Sequence, residues 1–168
     1  MDVIDCIKER RSIRSFERTV IDAEKQKNIL EAAICAPSGK NRQPWKFSCV
    51  TDVQMISQLS HLSAYESWMR SAPLFILVFL DKHLSYDYVK DVQSCGAAIQ
   101  NMLLAATSLG ISSCWIGEIV SKQDQIKSLL KIKDDSLELM GLIVFGYSSE
   151  KPKVPRRRDL NSFLIDNY

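Results

Sequence analysis

Hydrophobic residues recur along the chain at two spacings, and the change from one to the other separates predicted helices from predicted strands. The uninterrupted apolar run Leu74–Leu80 is typical of a strand that is buried on both faces. The longest helical pattern, Tyr86–Leu109, stops at Gly110, which we expect to cap the helix. Because helices and strands mix without strict βαβ alternation, the pattern predicts an α+β fold. Other helices are predicted to begin at Asp2, Asp22, Asp52 and Ser121, and other strands to cover 45–51, 111–116 and 137–147.

Apolar stripes predict which face of each helix is buried. The stripes are Val3, Ile4 and Ile7 in the first helix, Ile29, Leu30, Ala33 and Ile34 in the second, and Val53, Ile56 and Leu59 in the third. Ser121 with Asp124 resembles a capping box for the last helix. Gly141 and Gly146 are expected to break the final strand. Small residues at Ser94–Ala98 predict the close approach of another helix, either in the core or across a subunit interface.

The composition indicates one globular domain that spans residues 1–168. Hydrophobic residues make up 46% of the chain and charged residues 25%, which is typical of a folded globular protein. The net charge is only +2, from 22 basic and 20 acidic residues, so neither nucleic-acid binding nor membrane binding is predicted. The longest apolar run is far shorter than the roughly 20 residues that a membrane helix needs.

Cysteine usage and the N-terminus predict a cytoplasmic protein. An odd set of scattered cysteines without a Cys-x-x-Cys motif indicates reduced thiols. The cysteines stand at positions 6, 35, 49, 95 and 114. The N-terminus carries Asp2 and Asp5 and has no apolar signal core. His61 and His83 have no partners at ligand spacing, so no metal site is predicted.

A polar loop, Ala36–Phe47, follows the second predicted helix and leads into a strand. Pro37 cannot continue a helix and Gly39 permits a positive φ, so we expect a sharp turn there. Polar loops held between rigid elements are common ligand sites, although an ordinary connection is the alternative. The short polar side chains of this loop are Ser38, Asn41 and Gln43.

Arginines cluster near the N-terminus, where the chain leaves the first helix. Apolar and polar residues alternate through Ser12–Phe16, which predicts an extended segment with Arg10, Ser12 and Arg14 on one side. Forked guanidinium donors match the oxygens of a phosphate, so the cluster suits an anion. A solvated basic turn is the alternative, and the basic tail Glu150–Arg158 has the same two interpretations.

The remaining motifs contain no catalytic side chain that we can identify, so a cofactor would have to carry the reaction. Gly117 ends a predicted strand and would expose backbone N–H groups to a ligand. Tyr65 and Trp68 share a helical face, as core residues or as a substrate lid. The chain has no nucleotide-binding fingerprint, and no catalytic triad can be assembled. Such a protein can still catalyse if a cofactor carries the reaction, and we nominate no catalytic side chain.

Taken in order, these segments resemble the nitroreductase family of FMN-dependent oxidoreductases. The resemblance covers nearly the whole chain, and the motifs stand in the expected order. It rests on Arg10–Phe16, Ala36–Phe47, Gly110 with Cys114–Gly117, Gly146–Tyr147, and the arginine tail Arg156–Arg158. The sequence departs from the family at Gly39, where many members have a second serine. It is also a short member, with a brief region around Tyr65 and Trp68.

The resemblance implies a central, mainly antiparallel sheet flanked by helices, in an intertwined homodimer with FMN in two interface sites. The phosphate, the ribityl chain and the pyrimidine edge of the flavin would be bound by Arg10, Arg11, Ser12 and Arg14. In the tail, Arg156 and Arg158 would add positive charge at the phosphate. The other subunit would cover the isoalloxazine with Pro37, Ser38, Gly39, Asn41 and Gln43. Main-chain groups near the reactive side of the ring would come from Ile116, Gly117 and Glu118. Tyr65 and Trp68 would line the substrate pocket.

The implied activity is that of an FMN-dependent oxidoreductase that uses NADH or NADPH. Hydride would pass from the nicotinamide through flavin N5 to a small acceptor, such as a nitroaromatic or a quinone, in a ping-pong mechanism. A flavin-binding sensor or storage module without turnover is one alternative. An anion or nucleic-acid binder is another, which the near-neutral charge balance argues against.

Overall fold

The computed structural model of the chain describes residues 2–152 and 154–165. Met1 and residues 166–168 of the predicted domain, and Lys153 of the predicted basic tail, lie outside the described residues. The α-helices are α1 Val3–Glu9, α2 Ala23–Ile34, α3 Val53–His61, α4 Glu66–Met69, α5 Tyr88–Ser108 and α6 Gln123–Leu129. The strands are β1 Trp45–Val50, β2 Leu74–Asp81, β3 Ser112–Ile116 and β4 Leu137–Gly146. Short 3-10 helices cover Gly39–Asn41, Glu118–Lys122 and Leu160–Phe163.

The four strands form one sheet in the order β1-β2-β4-β3, and all neighbouring strands are antiparallel. Trp45 pairs with Leu80 at one end of the β1–β2 ladder. The β2–β4 register shifts between Val78 and Phe79, which bends the centre of the sheet. This architecture confirms the predicted α+β class and the mainly antiparallel sheet.

Both faces of the sheet are covered by helices, so β2 is buried along its whole length. Its residues alternate between two hydrophobic clusters: Leu74 and Ile76 face α2 and α5, and Phe75 and Leu77 face α3, α4 and α6. The uninterrupted apolar run of β2 follows from this burial on two sides, as predicted. The helix residues buried deepest are Ile29, Ala33, Ile99 and Met102 on one side, and Leu59, Met69 and Ile126 on the other.

Aspartates begin the helices as the sequence predicts, because each accepts backbone N–H groups that the first turn leaves unpaired. Asp22 Oδ1 accepts from the Lys25 amide at 2.8 Å, and Asp52 Oδ1 accepts from the Met55 amide at 2.8 Å. Asp2 caps α1 in the same way. At the other end of α5, Gly110 adopts a φ of 70°, which confirms its role in ending that helix.

Several predicted details are wrong. Ile34 and Val53 are exposed, at 52% and 77%, because each stands at the last or first position of its helix, beyond the packed face. The apolar face of α1 is also exposed, since the helix turns Cys6 rather than Val3, Ile4 or Ile7 into the protomer.

The predictions for the start of α6 and for the final strand are also wrong. The predicted capping box does not form: Ser121 Oγ donates to the carbonyl of Glu118 at 3.0 Å within a 3-10 turn, and Lys122 precedes α6. β4 is one strand from Leu137 to Gly146, so the predicted break at Gly141 does not occur: Gly141 pairs with Val78 of β2, and Gly146, which pairs with Ser112 of β3, is the last residue of β4. No helix within the described ranges is long and apolar enough to cross a membrane.

Candidate functional site

The arginine-rich segment after α1 lies against the edge strand of the sheet. Ser12 forms a parallel bridge with Ser113 of β3, and the Ile13 amide donates to the Ser113 carbonyl at 3.0 Å. Further along, the Glu17 amide donates to the Tyr147 carbonyl at 2.8 Å. These bonds hold the segment extended, as predicted, so that Ile13 is buried while Arg14 is exposed.

This segment forms one wall of a basic cavity of about 370 Å³. The cavity is lined by Arg10, Arg11, Ser12, Arg14, Glu150, Pro152, Pro155 and Arg157. None of its arginines forms an ion pair with a carboxylate of the described residues. Glu150 accepts a hydrogen bond from the Arg14 backbone amide at 3.2 Å. Uncommitted guanidinium groups around one cavity are suited to an anion with several oxygens.

The arginines of the cavity differ in how far their donors are already used. Arg11 Nη1 donates to the carbonyl of Arg10 at 2.9 Å and also to the carbonyl of Lys8, so this side chain caps the end of α1. Among the described residues, the Arg14 guanidinium makes only a long contact, from Nη1 to the Ser12 carbonyl at 3.5 Å. Arg14 therefore retains most of its donors for a ligand.

The tail contributes Arg157 to the basic cavity, and neither Arg156 nor Arg158 is among the residues that line it. The guanidinium carbon of Arg158 lies 4.4 Å from the ring centroid of Phe163, which is a cation–π contact. The predicted phosphate contacts of Arg156 and Arg158 stay predictions, and Arg157 joins them as a residue that the sequence motif did not single out.

A second cavity of about 420 Å³ adjoins the first and shares Arg10 and Ser12 with it. Its other lining residues are Gln100, Leu103, Trp115, Gly117, Val120 and Met140. We call these two neighbouring cavities together the basic groove, which is basic at the tail end and more apolar at the α5 end. Gly117 lies in its wall directly after β3, where the sequence predicts exposed main-chain groups.

Gln100, Leu103 and Met140 were missed by sequence reasoning. Gln100 and Leu103 stand on α5, and Met140 lies in β4, far along the chain from the arginine cluster. Only the packing of α5 and β4 against β3 brings these residues to the groove, and no local motif signals that packing.

The polar loop after α2 is held in an unusual backbone conformation. Lys40, Asn41 and Gln43 have positive φ values of 51°, 54° and 50°, a region that side chains other than glycine rarely adopt. The Gln43 amide donates to Ser38 Oγ at 2.9 Å, and Gln43 Nε2 donates to the Asn41 carbonyl at 3.2 Å. The left-handed positions therefore follow Gly39 instead of falling on it, which corrects the expectation from sequence.

Within one protomer, the polar loop and the basic groove do not meet. No residue of 37–43 lines either cavity of the groove in the described part of the chain. Gly39 instead packs against Tyr86, and the 3-10 turn at Gly39–Asn41 contacts α5. Ser38, Asn41 and Gln43 are thus gathered in one compact turn, while their predicted contact with a flavin stays a prediction.

The carboxylate of Glu118 joins the groove wall to the segment that carries Tyr65 and Trp68. Glu118 Oε2 accepts from Ser63 Oγ at 3.0 Å, and Glu118 Oε1 accepts from the Ala64 amide at 3.0 Å. The rings of Tyr65 and Trp68 lie 5.7 Å apart between centroids. Trp68 is partly buried against the core beside Phe16, whereas Tyr65 is 43% exposed.

Cys114 lies beneath the basic segment and is buried. Burial raises the pKa of the Cys114 thiol, although the nearby charge of Arg14 acts in the opposite direction. A thiol that stays protonated is a poor nucleophile, so Cys114 acts as a packing residue.

An antiparallel sheet that carries a groove with arginines at one end and apolar residues at the other is suited to an elongated ligand with a phosphate and a flat ring. The family model described as "Nitroreductase family" matches residues 7–147 of this sequence. The chain belongs to the nitroreductase family.

Relatives of known name are similar over most of their length. A candidate NADH dehydrogenase/NAD(P)H nitroreductase of Methanothermobacter thermautotrophicus is 34% identical over 154 residues, which are 90% of this chain and 80% of that protein. The NADPH-flavin oxidoreductase of Vibrio harveyi is 27% identical over 178 residues, covering 99% of this chain and 74% of that protein. The crystal structure of a candidate nitroreductase from Desulfovibrio desulfuricans, in complex with FMN, superposes with a TM-score of 0.94 at 36% identity. It covers 100% of this chain and 98% of that one.

Proposed function

We propose that this protein is an FMN-dependent oxidoreductase that takes hydride from NADH or NADPH and passes it to a small acceptor. The observation that carries the proposal is the basic groove, whose uncommitted arginines stand at one end and whose apolar wall stands at the other. Relatives described as an NADPH-flavin oxidoreductase and as FMN reductases support the same assignment.

The donor set of the groove fits FMN. A phosphate dianion needs several cations, and the tail end offers Arg10, Arg14 and Arg157 without competing ion pairs in the described chain. Arg11 and Ser12 line the same cavity and would bind the phosphate or the ribityl chain. The resemblance adds Arg156 and Arg158 as further phosphate ligands, although neither of them lines the groove within one protomer.

The α5 end of the groove would hold the flavin ring. Gly117 has no Cβ, and a Cβ there would meet nothing within 4 Å, so its main chain is open to a ligand. Ile116, Gly117 and Glu118 would therefore present backbone groups to the ring edge. Arg14 would stand near the pyrimidine, where a positive charge favours the anionic reduced ring.

The isoalloxazine would be covered by the polar loop of a second copy of the chain. Two observations support this cover: the loop and the groove are separate within one protomer, and the turn gathers several polar groups. Pro37, Ser38, Gly39, Asn41 and Gln43 would form that cover in a homodimer.

When bound, FMN would supply the ability to accept and release hydride at N5, and we nominate no side chain of this protein as an acid or base. The protein binds, orients and polarises the reactants. Donor and acceptor would use the same face of the ring in turn, which is a ping-pong mechanism. Tyr65 and Trp68 would face flat acceptors such as nitroaromatics or quinones, since offset stacking favours such contacts.

The proposal is tested by flavin content and turnover. We expect the purified protein to be yellow, to hold about one FMN per chain by the family resemblance, and to oxidise NADH or NADPH in the presence of a quinone. A colourless protein that takes up no added FMN would end the proposal. A protein that binds FMN but shows no steady-state oxidation of either nicotinamide would instead be a sensor or a storage module.

A further inference from the structure

The strained polar loop needs support from outside itself. Residues with positive φ persist only where the surrounding structure holds them, and Lys40, Asn41 and Gln43 lie together in this region. The hydrogen bonds of Ser38, Asn41 and Gln43 join these residues to one another. The loop is next bonded to the rest of the protein beyond them, where the Asp81 amide donates to the Pro44 carbonyl at 2.7 Å.

The ring of Tyr86 supplies that external support. A Cβ on Gly39 would lie 2.8 Å from Tyr86 Cδ1, so the loop backbone rests directly on the ring. Lys40 Nζ lies 4.3 Å from the ring centroid, and Lys90 Nζ lies 5.0 Å from it. Both distances are within the range of a cation–π interaction, so the first left-handed residue of the loop is tied to the same ring.

Tyr86 is itself fixed by a buried carboxylate. Asp91 is fully buried, and its Oδ2 accepts from Ser85 Oγ at 2.7 Å, from the Tyr86 amide at 2.7 Å and from the Asp87 amide at 2.9 Å. Burial alone would raise the pKa of Asp91, but these donors outweigh it and hold the pKa below its usual value. The carboxylate therefore stays ionised, and it keeps residues 85–87 in one conformation.

Asp91 does more than begin a helix. Asp87 already caps α5 by accepting from the Lys90 amide at 3.1 Å. Oδ1 of Asp91 has no hydrogen-bond partner among the described residues although it is buried. Asp91 therefore holds residues 85–87 through one oxygen while the other is desolvated at a cost in free energy.

We propose that Tyr86, held in place by Asp91, is a positioning residue that keeps the polar loop in the shape in which it covers the flavin of a second subunit. This inference rests on the proposed function, because the loop has a ligand to cover only if FMN binds at the interface. It assigns to Tyr86 and Asp91 an effect on flavin binding, although neither lines the basic groove.

The test compares the variant Tyr86→Ala with Tyr86→Phe and with Tyr88→Ala. Tyr86→Phe keeps the ring and thus the support. Tyr88→Ala removes a neighbouring exposed tyrosine whose hydroxyl donates to Glu138 at 2.9 Å. FMN dissociation constants and unfolding midpoints of the apoproteins are measured for all three. We expect Tyr86→Ala to weaken FMN binding about tenfold through the lost ring contacts. Tyr86→Phe should rescue binding, and Tyr88→Ala should leave it unchanged.

A purely structural role for Tyr86 would lower the unfolding midpoint without changing the bound flavin. We therefore also expect Tyr86→Ala to blunt the fine structure of the visible flavin absorption band, because a misplaced loop exposes the ring to water. Asp91→Asn should also weaken FMN binding, since the Tyr86 segment loses part of the hydrogen bonding that holds it.

Two further measurements distinguish a failure of this inference from a failure of the proposed function. If the unaltered protein binds no FMN, the proposed function fails and the inference falls with it. If Gln43→Ala weakens FMN binding while Tyr86→Ala binds FMN like the unaltered protein, the loop covers the flavin without help from Tyr86, and the inference is overturned. It is equally overturned if neither variant changes the dissociation constant.

Discussion

The indole nitrogen of Trp115 occupies the space that a side chain on Gly141 would need, since a Cβ at Gly141 would lie 2.5 Å from Trp115 Nε1. Trp115 in β3 pairs with Ile143 of β4, two residues from Gly141, so the two lie on the same face of the sheet. Trp115 is 42% exposed and lines the basic groove beside Gly117 and Met140. The missing side chain of Gly141 thus sets the position of the groove wall.

We therefore expect Gly141→Ala to displace Trp115 into the basic groove. Overpacking of this kind typically destabilises by about 1–3 kcal/mol, and FMN binding should weaken as well. Denaturant unfolding, tryptophan emission and flavin titration measure these effects. In a Trp115→Ala background the same substitution should have little further effect, which a double-mutant cycle reports. Additive free energies would show that the two residues do not interact.

The second prediction concerns which tail arginine binds the phosphate. Arg157→Ala should weaken FMN binding roughly ten- to a hundredfold, the value of one charge-assisted contact. Arg158→Ala should weaken binding less, because its guanidinium packs on Phe163 and does not line the groove within the protomer. Arg18→Ala is the matched control, because this exposed arginine lines neither cavity of the groove. Arg14→Ala should weaken binding and also make the bound flavin harder to reduce, because the reduced ring loses a neighbouring charge. Isothermal titration and potentiometry separate these effects. If Arg158→Ala loses more FMN affinity than Arg157→Ala, then Arg158 is the tail residue that contacts the phosphate.

The third prediction concerns the acceptor. Ser63→Ala removes one of the two donors to the Glu118 carboxylate and loosens the segment that carries Tyr65. A neutral-to-charged hydrogen bond of this kind contributes about 1.5–3 kcal/mol, so the KM for an aromatic acceptor should rise by up to roughly tenfold, while the FMN dissociation constant stays unchanged. Ser136→Ala is the control, since its hydroxyl also donates to a carboxylate, that of Asp134 at 2.6 Å, in the turn before β4. Equal KM values in all three proteins would remove Tyr65 and Trp68 from the acceptor site.

The features that the sequence predicted well are those with local causes. Asp22 and Asp52 accept N–H groups three residues along the chain, so their role depends on nothing distant. Burial of β2 on two faces leaves an apolar run that needs no knowledge of its neighbours. The extended segment after α1 follows from simple alternation, and it carries most of the arginines of the basic groove.

The features that could not be predicted depend on packing between distant parts of the chain. Gln100 enters the groove because α5 crosses beneath β3 and β4, and Arg157 enters it because the tail returns to the first arginines. The tight turn at Gly39 is another case. Glycine was expected to supply the positive φ, yet it is the ring of Tyr86 that requires a residue without a Cβ there.

The fourth prediction concerns pH. Burial, and secondarily the charge of Asp91, raise the pKa of Cys95 from 9.0 to about 12. The unfolded chain therefore releases this proton above pH 9.0 while the folded chain retains it, so stability falls with rising pH between these two values. For one titrating group, the unfolding free energy falls by up to about 1.4 kcal/mol per pH unit. Cys95→Ala should show a shallower decline in unfolding free energy over this window than the exposed control Cys35→Ala. Identical slopes would contradict the assignment.

The last prediction concerns assembly. Gly96 lies on the outer side of α5, where a Cβ would meet nothing within 4 Å of the protomer. Beside α5, helix α1 exposes Val3 and Ile4, at 67% and 54%. We expect a dimer that persists at micromolar concentration and that places this surface at the contact.

The variant Gly96→Leu tests this contact. The leucine should be accommodated within the protomer but clash with the second subunit, so dimer formation and FMN binding should be lost together. Ser128→Leu adds similar bulk to the exposed side of α6 and should leave both intact. Light scattering with flavin absorbance follows the two quantities, and a monomer that still binds FMN tightly would contradict the site shared by two subunits.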